Sequence, residues 1–186
     1  MLEIKTLTQI TENELREFIV GYSSNQKYVV TKKEDDTRTQ ITLELTMLDE
    51  PYIKRWGKDD VLESHYSKVL EQKLSLCAYL NGEMVAIAIA EEQSWNHTLL
   101  LWEFHVLKEK QGKGIGIQLM EALKKRAYTA GLRAIVCETQ NTNLPAIRFY
   151  RRLGFEIDGV DLSYYTNHDI HQGEVAIFMK FKLNVE

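Results

Sequence analysis

The chain has 186 residues, 44% of them hydrophobic and 27% charged, with 23 basic against 27 acidic side chains and a formal charge of −4. That content predicts one domain with a substantial apolar core rather than a disordered chain, and only two prolines and ten glycines exclude collagen-like or low-complexity architectures. A pI near 5.8 speaks against general nucleic-acid binding, which needs a basic surface or stripe.

The opening MLEIKTLTQI has no apolar signal-peptide core, and no later apolar run approaches the ~20 residues of a membrane helix. The expected location is cytoplasmic, with no membrane partner. Residues 2–7 alternate loosely and suit an edge strand. Thr11 or Asn13 starts a short helix that stops near Gly21. Residues 32–39, KKEDDTRT, read as a solvated loop. In ITLELTM, Ile41, Leu43, Leu45 and Met47 share one face of a strand, which Pro51 interrupts. A helix is expected from Asp59, with apolar positions at Val61/Leu62, His65/Tyr66 and Val69/Leu70. Asp59, Asp60 and Glu63 suit its dipole as a solvated helix start, or line an acidic mouth for a cationic substrate.

Asn81-Gly82 between LSLCAYL and EMVAIAIAEEQ is a strong hairpin signal. The apolar run TLLLWEFHVL follows a turn at SWNH. A helix is expected from Ile115 to Ala130, with Gly131 as its C-terminal cap. A strand over 132–138 follows. Asn143 then caps a helix with Pro145 in its first turn, ending at Gly154, and one or two strands close the chain. Cys77 and Cys137 lie in strand-like apolar runs and read as buried small hydrophobes. Trp56, Trp95 and Trp102 read as core or rim packing. His168 and His171 have ligand-like spacing without a supporting cluster, and no metal is expected. With no repeat and no Ser/Gly-rich linker, a single domain over 1–186 is expected, built on a mixed sheet with packed helices.

The most informative stretch is HVLKEKQGKGIGIQLMEALKKRA. Gln111-Gly112-Lys113-Gly114-Ile115-Gly116 separates a strand from a helix, and Lys108, Lys110 and Lys113 outnumber Glu109. Glycines that admit positive φ, followed by unpaired helix N–H groups, make an anion site for phosphate or pyrophosphate. A connection that binds nothing is the alternative. The run is neither a Walker loop nor a Gly-x-Gly-x-x-Gly dinucleotide fingerprint.

Gln111-x-x-Gly114-x-Gly116 resembles the pyrophosphate motif of the GCN5-related N-acetyltransferase (GNAT) superfamily. About 30 residues on, Asn143, Ala146, Phe149, Tyr150 and Gly154-Phe155 in NLPAIRFYRRLGF match the second motif of that family. The likeness covers roughly residues 75–160, and EPYIKRW, CETQNTNLPAIRFYRRLGF and GVDLSYY bring it nearest the streptothricin acetyltransferase branch.

This resemblance implies a GNAT fold of the α/β (mixed α+β) class: a central twisted mixed sheet, splayed at the cofactor site, with helices on both faces. It implies acetyl transfer from acetyl-CoA to an amine, leaving coenzyme A. The amides of Gln111, Gly112, Lys113, Gly114, Ile115 and Gly116 would hold the pyrophosphate. Phe104, His105 and Val106 would run beside the pantetheine, with the Val106 backbone at the thioester carbonyl. Asn143, Ala146 and Phe149 would meet the cofactor arm, and Tyr150 would protonate the leaving thiolate. On helical spacing alone, sharing a face with Ala146 and Leu153, Tyr150 reads first as a core tyrosine.

An amine with an ordinary pKa of ~10.4 must also lose a proton. Glu103, an acid in an apolar run, is the candidate base or substrate anchor; a solvent-facing strand acid is the alternative. His105 shares its side of the strand, as a second base or a hydrogen-bonded structural histidine. Tyr164, with Tyr165, would border the acceptor site. The expected acceptor is a primary amine of a small molecule, first among them a streptothricin-type antibiotic. A polyamine, another amine, a protein N-terminus, or a silent acyl-CoA-binding sensor are the alternatives. Monomer and homodimer stay equally open.

Overall fold

A computed structural model describes residues 1–56 and 63–183, without the side chains of 63–65. The elements are β1 (Leu2–Thr6), α1 (Glu12–Phe18), β2 (Tyr22–Glu34), β3 (Thr39–Lys54), α2 (Glu63–Glu71), β4 (Leu76–Leu80), β5 (Glu83–Gln93) and β6 (Thr98–Val106). They continue with α3 (Ile115–Thr129), β7 (Ala134–Gln140), α4 (Leu144–Arg152), β8 (Glu156–Asp161), α5 (Asp169–Gln172) and β9 (Ala176–Lys182). Two compact units form: Met1–Val20 with Trp56–Cys137 and Phe181–Glu186, and Gly21–Arg55 with Glu138–Lys180.

In the first unit, β1, β4, β5 and β6 pair antiparallel in that order, and β7 adds a parallel strand to β6. Local chemistry explains the element boundaries. The Thr11 side chain accepts from the Glu14 amide while Glu14 accepts from the Thr11 amide, a reciprocal cap that starts α1. Asn81 (φ 54°) and Gly82 (φ 86°) are both left-handed, as a two-residue hairpin turn requires. Gly131 (φ 74°) ends α3, its amide donating to Tyr128 O at 3.0 Å.

One face of this sheet packs against α1 and α2. Leu15 and Phe18 of α1, Tyr66, Val69 and Leu70 of α2, and Cys77, Ile87 and Ile89 of β4 and β5 share one apolar cluster. Full burial of each isoleucine contributes about 1.5–3 kcal/mol. The buried residues of α3, Ile115, Leu119, Met120, Leu123 and Ala127, lie outside that cluster. Neither cysteine is in a disulfide and both are buried, and burial pushes the Cys77 thiol up to about 11. Pairing of β6 with β7 stops at Leu101↔Cys137, although β6 runs on to Val106.

The second unit contains the β2–β3 hairpin, α4 and the antiparallel β8–β9 pair. Asn141, 3% exposed, ties it together. Its backbone pairs with Tyr28 and Val175; its Nδ2 donates to Tyr28 O and its Oδ1 accepts from Val175 N, both at 2.7 Å.

Several expectations are corrected. Half of the charged stretch 32–39 is strand: Lys32, Lys33 and Glu34 pair with Ile41, Gln40 and Thr39, leaving 35–38 to turn. Ladder hydrogen bonds need no apolar side chains on an exposed hairpin. At its tip Asp35 Oδ1 accepts from the Thr37 and Arg38 amides. Ile41, Leu45 and Met47 do share a face but stay 40%, 43% and 66% exposed, because β3 is the outer strand of a two-stranded sheet. Pro51 does not end β3. It lies in an unpaired bulge, since the register jumps from Ser24↔Tyr52 to Gln26↔Met47, where a missing N–H costs nothing. Trp95 is exposed at the β5–β6 turn rather than packed. Asp59 and Asp60, the expected acidic helix start, lie outside the described residues, as does the Glu63 side chain.

Candidate active site

In the first unit, β6 hands over to α3 through a short 3-10 turn at Lys108–Lys110 and the glycine run. Gly112 (φ 74°) and Gly114 (φ 78°) are left-handed, and a Cβ added to either would meet open space. Gly114 is the N-cap of the 15-residue α3 and supplies no side chain to cap it. The helix therefore presents backbone N–H groups and a positive dipole end without a covering side chain. Ile115 is buried and can contribute only backbone; Gly116 lies in the first turn. The basic surplus is smaller than the sequence suggests. Lys110 pairs with Glu83 at 2.8 Å, and Lys113 donates to Glu109 O at 3.1 Å. This backbone cradle fits a pyrophosphate-bearing cofactor, and its residues from Gln111 to Gly116 would hold it.

A β-bulge explains the acid in the apolar run. Ile89 pairs with Glu103 but Ala90 pairs with Leu101, so Trp102 is the extra residue. Beyond it, Glu103 and His105 sit opposite Ile89 and Ile87, on the α1–α2 face. Phe104 and Val106 sit opposite Ala88 and Ala86, on the other face. Leu107 N donates to Val85 O, so antiparallel alternation turns the peptide groups of Phe104 and Val106 away from β5. Val106 O, so turned, accepts from Gln111 Nε2 at 3.0 Å.

Glu103 is not a solvent-facing acid: its side chain is 19% exposed. Tyr66 Oη donates to Oε1 at 2.6 Å, and His105 Nε2 lies 2.6 Å from Oε2. Burial, and then the Glu103 charge, push the Tyr66 phenol well above its ordinary value and keep it a donor. The periodic apolar pattern placed Tyr66 with Val69 and Leu70 as core. It is core by its ring, and its hydroxyl reaches the site. No spacing rule links positions 66 and 103; the polar tip of an otherwise apolar stripe was the one signal.

In the second unit, Asn143 caps α4, its Oδ1 accepting from Ala146 N at 3.2 Å, with Pro145 in the first turn. Tyr150 is 8% exposed, with ring centroids 5.6 Å from Phe149 and 5.3 Å from Phe155. Tyr164 is half-exposed and packs edge-on to Phe178 and Tyr165. The polar contacts belong to its neighbour: Tyr165 Oη donates to Glu138 and accepts from Gln140 Nε2. Burial and the Glu138 charge hold Tyr165 protonated.

The sequence reading also missed Tyr22, Tyr52, Lys54 and Glu174, which no local motif connects. Lys54 Nζ and Tyr52 Oη both donate to Glu174 at 2.7 Å, and Tyr22 Oη lies 2.7 Å from Thr142 Oγ1. Burial, then Glu174, push Tyr52 up to about 12. A groove of about 760 Å³ in this unit is lined by Ser24, Gln26, Met47, Arg148, Arg151 and Arg152 among others, and by none of the predicted site residues. His168 and His171 flank and enter α5, and among the described residues no three His, Cys, Asp or Glu side chains gather as a metal site. Among those residues no helix is long and apolar enough to cross a membrane.

Comparison with known proteins agrees with this architecture. The streptothricin acetyltransferase of Streptomyces lavendulae is 33% identical over 53% of this chain and 52% of that protein, about half its length. Streptothricin acetyltransferase A of Bacillus subtilis is 30% identical over 71% of this chain and 74% of that protein. A Bacillus anthracis (strain Ames) acetyltransferase, crystallised with acetyl coenzyme A, superposes with a TM-score of 0.73 at 22% identity, over 98% of this chain and all of that one. The sequence profile of the acetyltransferase (GNAT) family matches residues 42–155. With that match over more than half its length, and with the glycine cradle between β6 and α3, the chain belongs to the acetyltransferase (GNAT) family.

Proposed function

We propose that this chain moves the acetyl group of acetyl-CoA to a primary amine of a small molecule, a streptothricin-type antibiotic first among them. The observation that carries the donor half is the glycine cradle: two left-handed glycines, open space above them and an uncapped helix start. The likeness to streptothricin acetyltransferases over most of the chain supports the acceptor.

In this reading the backbone of Gln111–Gly116 binds the pyrophosphate. The outward-turned peptide groups of Phe104 and Val106 run along the pantetheine, and the Val106 N–H faces the thioester oxygen. Glu103 takes the proton from the acceptor ammonium, and the amine nitrogen attacks the thioester carbon. The tetrahedral intermediate collapses with loss of the thiolate, which Tyr150 protonates; the second proton of the acetylated nitrogen returns Tyr150 to its phenol form, and Glu103 releases its proton to solvent. Asn143 Nδ2 donates to the pantetheine arm, beside Ala146 and Phe149, while Tyr164 borders the acceptor. The protein acts as a single catalytic domain, in the cytoplasm.

The test is release of free thiol from acetyl-CoA with purified protein and a panel of streptothricin, spermidine, an aminoglycoside, lysine and a peptide N-terminus. Turnover with streptothricin far above the rest supports the reading. Faster turnover with another amine keeps the enzyme and discards that acceptor.

A further inference from the structure

Both oxygens of Glu103 are engaged by side chains from two different elements. Tyr66 reaches Oε1 from α2, and His105 reaches Oε2 from the same strand, each at 2.6 Å. A glutamate on a strand has three side-chain torsions that strand geometry does not fix. Here one oxygen is pinned from the helix layer and the other from two residues along β6. The bulge at Trp102 makes this possible, since it moves Glu103 and His105 together onto the face that α2 covers. Tyr66 carries its own anchor: the residue is 9% exposed, in the cluster with Val69, Leu70 and Ile89. A buried phenol bonded to a charged acceptor is a rigid, charge-assisted contact.

We propose that Tyr66 and His105 are positioning residues: as the two donors to Glu103 they fix its carboxylate, so that the remaining lone pairs meet the acceptor ammonium in one orientation. This rests on the reading of Glu103 as the base. No bond forms or breaks at Tyr66 or His105 in the chemical step. The proton passes from the ammonium nitrogen to a Glu103 oxygen, and both donors keep their hydrogens throughout.

The experiment measures kcat and KM with the amine of the panel acetylated fastest, in Tyr66→Phe, His105→Leu, His105→Gln, Glu103→Gln and the double variant Tyr66→Phe/Glu103→Gln, with thermal unfolding of each. A positioned base contributes about 10²–10⁴-fold, so losing one of its two positioning contacts is expected to lower kcat about tenfold, with acetyl-CoA KM unchanged. His105→Gln, which retains a side-chain N–H donor, is expected to recover most of what His105→Leu loses. Tyr66→Phe is expected to add nothing in the Glu103→Gln background, because it acts through that carboxylate.

If Glu103→Gln is slow but Tyr66→Phe and His105→Leu keep kcat within about twofold, positioning is refuted and the base stands. An additive double variant, or kcat losses that follow only the melting temperatures, also refutes positioning. Unchanged turnover in Glu103→Gln, or a wild-type chain that acetylates no amine of the panel, overturns the base reading and this inference with it.

Discussion

Replacing Gly114 by alanine separates the backbone role of the glycine cradle from its ligand role. Gly114 has φ 78°, and an added Cβ meets no protein atom within 4 Å. The folded protein therefore loses only the strain of a left-handed L-residue, about 1–2 kcal/mol. For a chain of this size each kcal/mol lowers Tm by about 2–4 °C. The structure contains a matched control. Gly131, at the other end of α3, has φ 74° and equally open space around its added Cβ. Gly131→Ala should cost the same stability. The two should part in ligand affinity. A methyl group over the helix start interferes with charge-assisted amide contacts to pyrophosphate worth about 1.5–3 kcal/mol, or roughly ten- to a hundredfold in Kd. Calorimetric titration of both variants with acetyl-CoA, beside thermal melts, is the assay. Equal melting losses with weakened binding in Gly114→Ala alone is the expected result. Equal acetyl-CoA affinity in the two variants would refute the cradle. Gly114→Glu, which adds bulk and negative charge, should abolish binding.

Tyr150→Phe keeps the ring packing against Phe149 and Phe155 and removes only the hydroxyl, so kcat should fall about tenfold or more while acetyl-CoA affinity stays; lost affinity at unchanged saturated turnover would contradict the acid role. Asn141→Ala strips two 2.7 Å hydrogen bonds from the buried groups Tyr28 O and Val175 N, and should cost about 2–4 kcal/mol in denaturant unfolding. A loss under about 0.5 kcal/mol would show that those bonds do not hold the second unit together. Burial raises the Asp169 carboxyl, but donation from the Tyr165 amide and from the Thr166 hydroxyl and amide outweighs it, leaving Asp169 below the ordinary carboxylate range. Its contribution to stability is thus complete above the unfolded value of ~3.9 and is lost as pH falls through the lower folded value. Asp169→Asn should flatten the stability–pH curve in that acidic window, and an unchanged slope there would remove Asp169 from the account.

The elements readable in the sequence are those governed by neighbours along the chain. Asn81-Gly82, Gly131, and Asn143 with Pro145 each set a boundary through bonds spanning a few residues, and each boundary lies where those residues predict it; of the two helix starts that Thr11 and Asn13 offered, the bonds between Thr11 and Glu14 select the first. The glycine cradle is legible for the same reason: its chemistry is backbone conformation at consecutive positions. The β2–β3 hairpin was only half legible. Its ladder supplies the order, and exposed strands need no apolar alternation, so a charged run hid a strand.

What surrounds Glu103 depended on tertiary structure. An acid in LLLWEFHV announces that something is unusual, but its meaning turns on a bulge that opposes Leu101 and Trp102 to Ala90. That bulge selects the face, and the face selects Tyr66, 37 residues away along the chain. Asn141 gives the same lesson: its partners Tyr28 and Val175 are remote in sequence, and a lone asparagine after a strand carries no sign of them. Sequence by itself determined the caps, the turns and the glycine run between β6 and α3, because short-range bonds and backbone strain are local quantities. Only the folded chain decided which polar groups share a buried hydrogen bond, because desolvation makes such a group seek a partner without specifying where in the chain that partner lies.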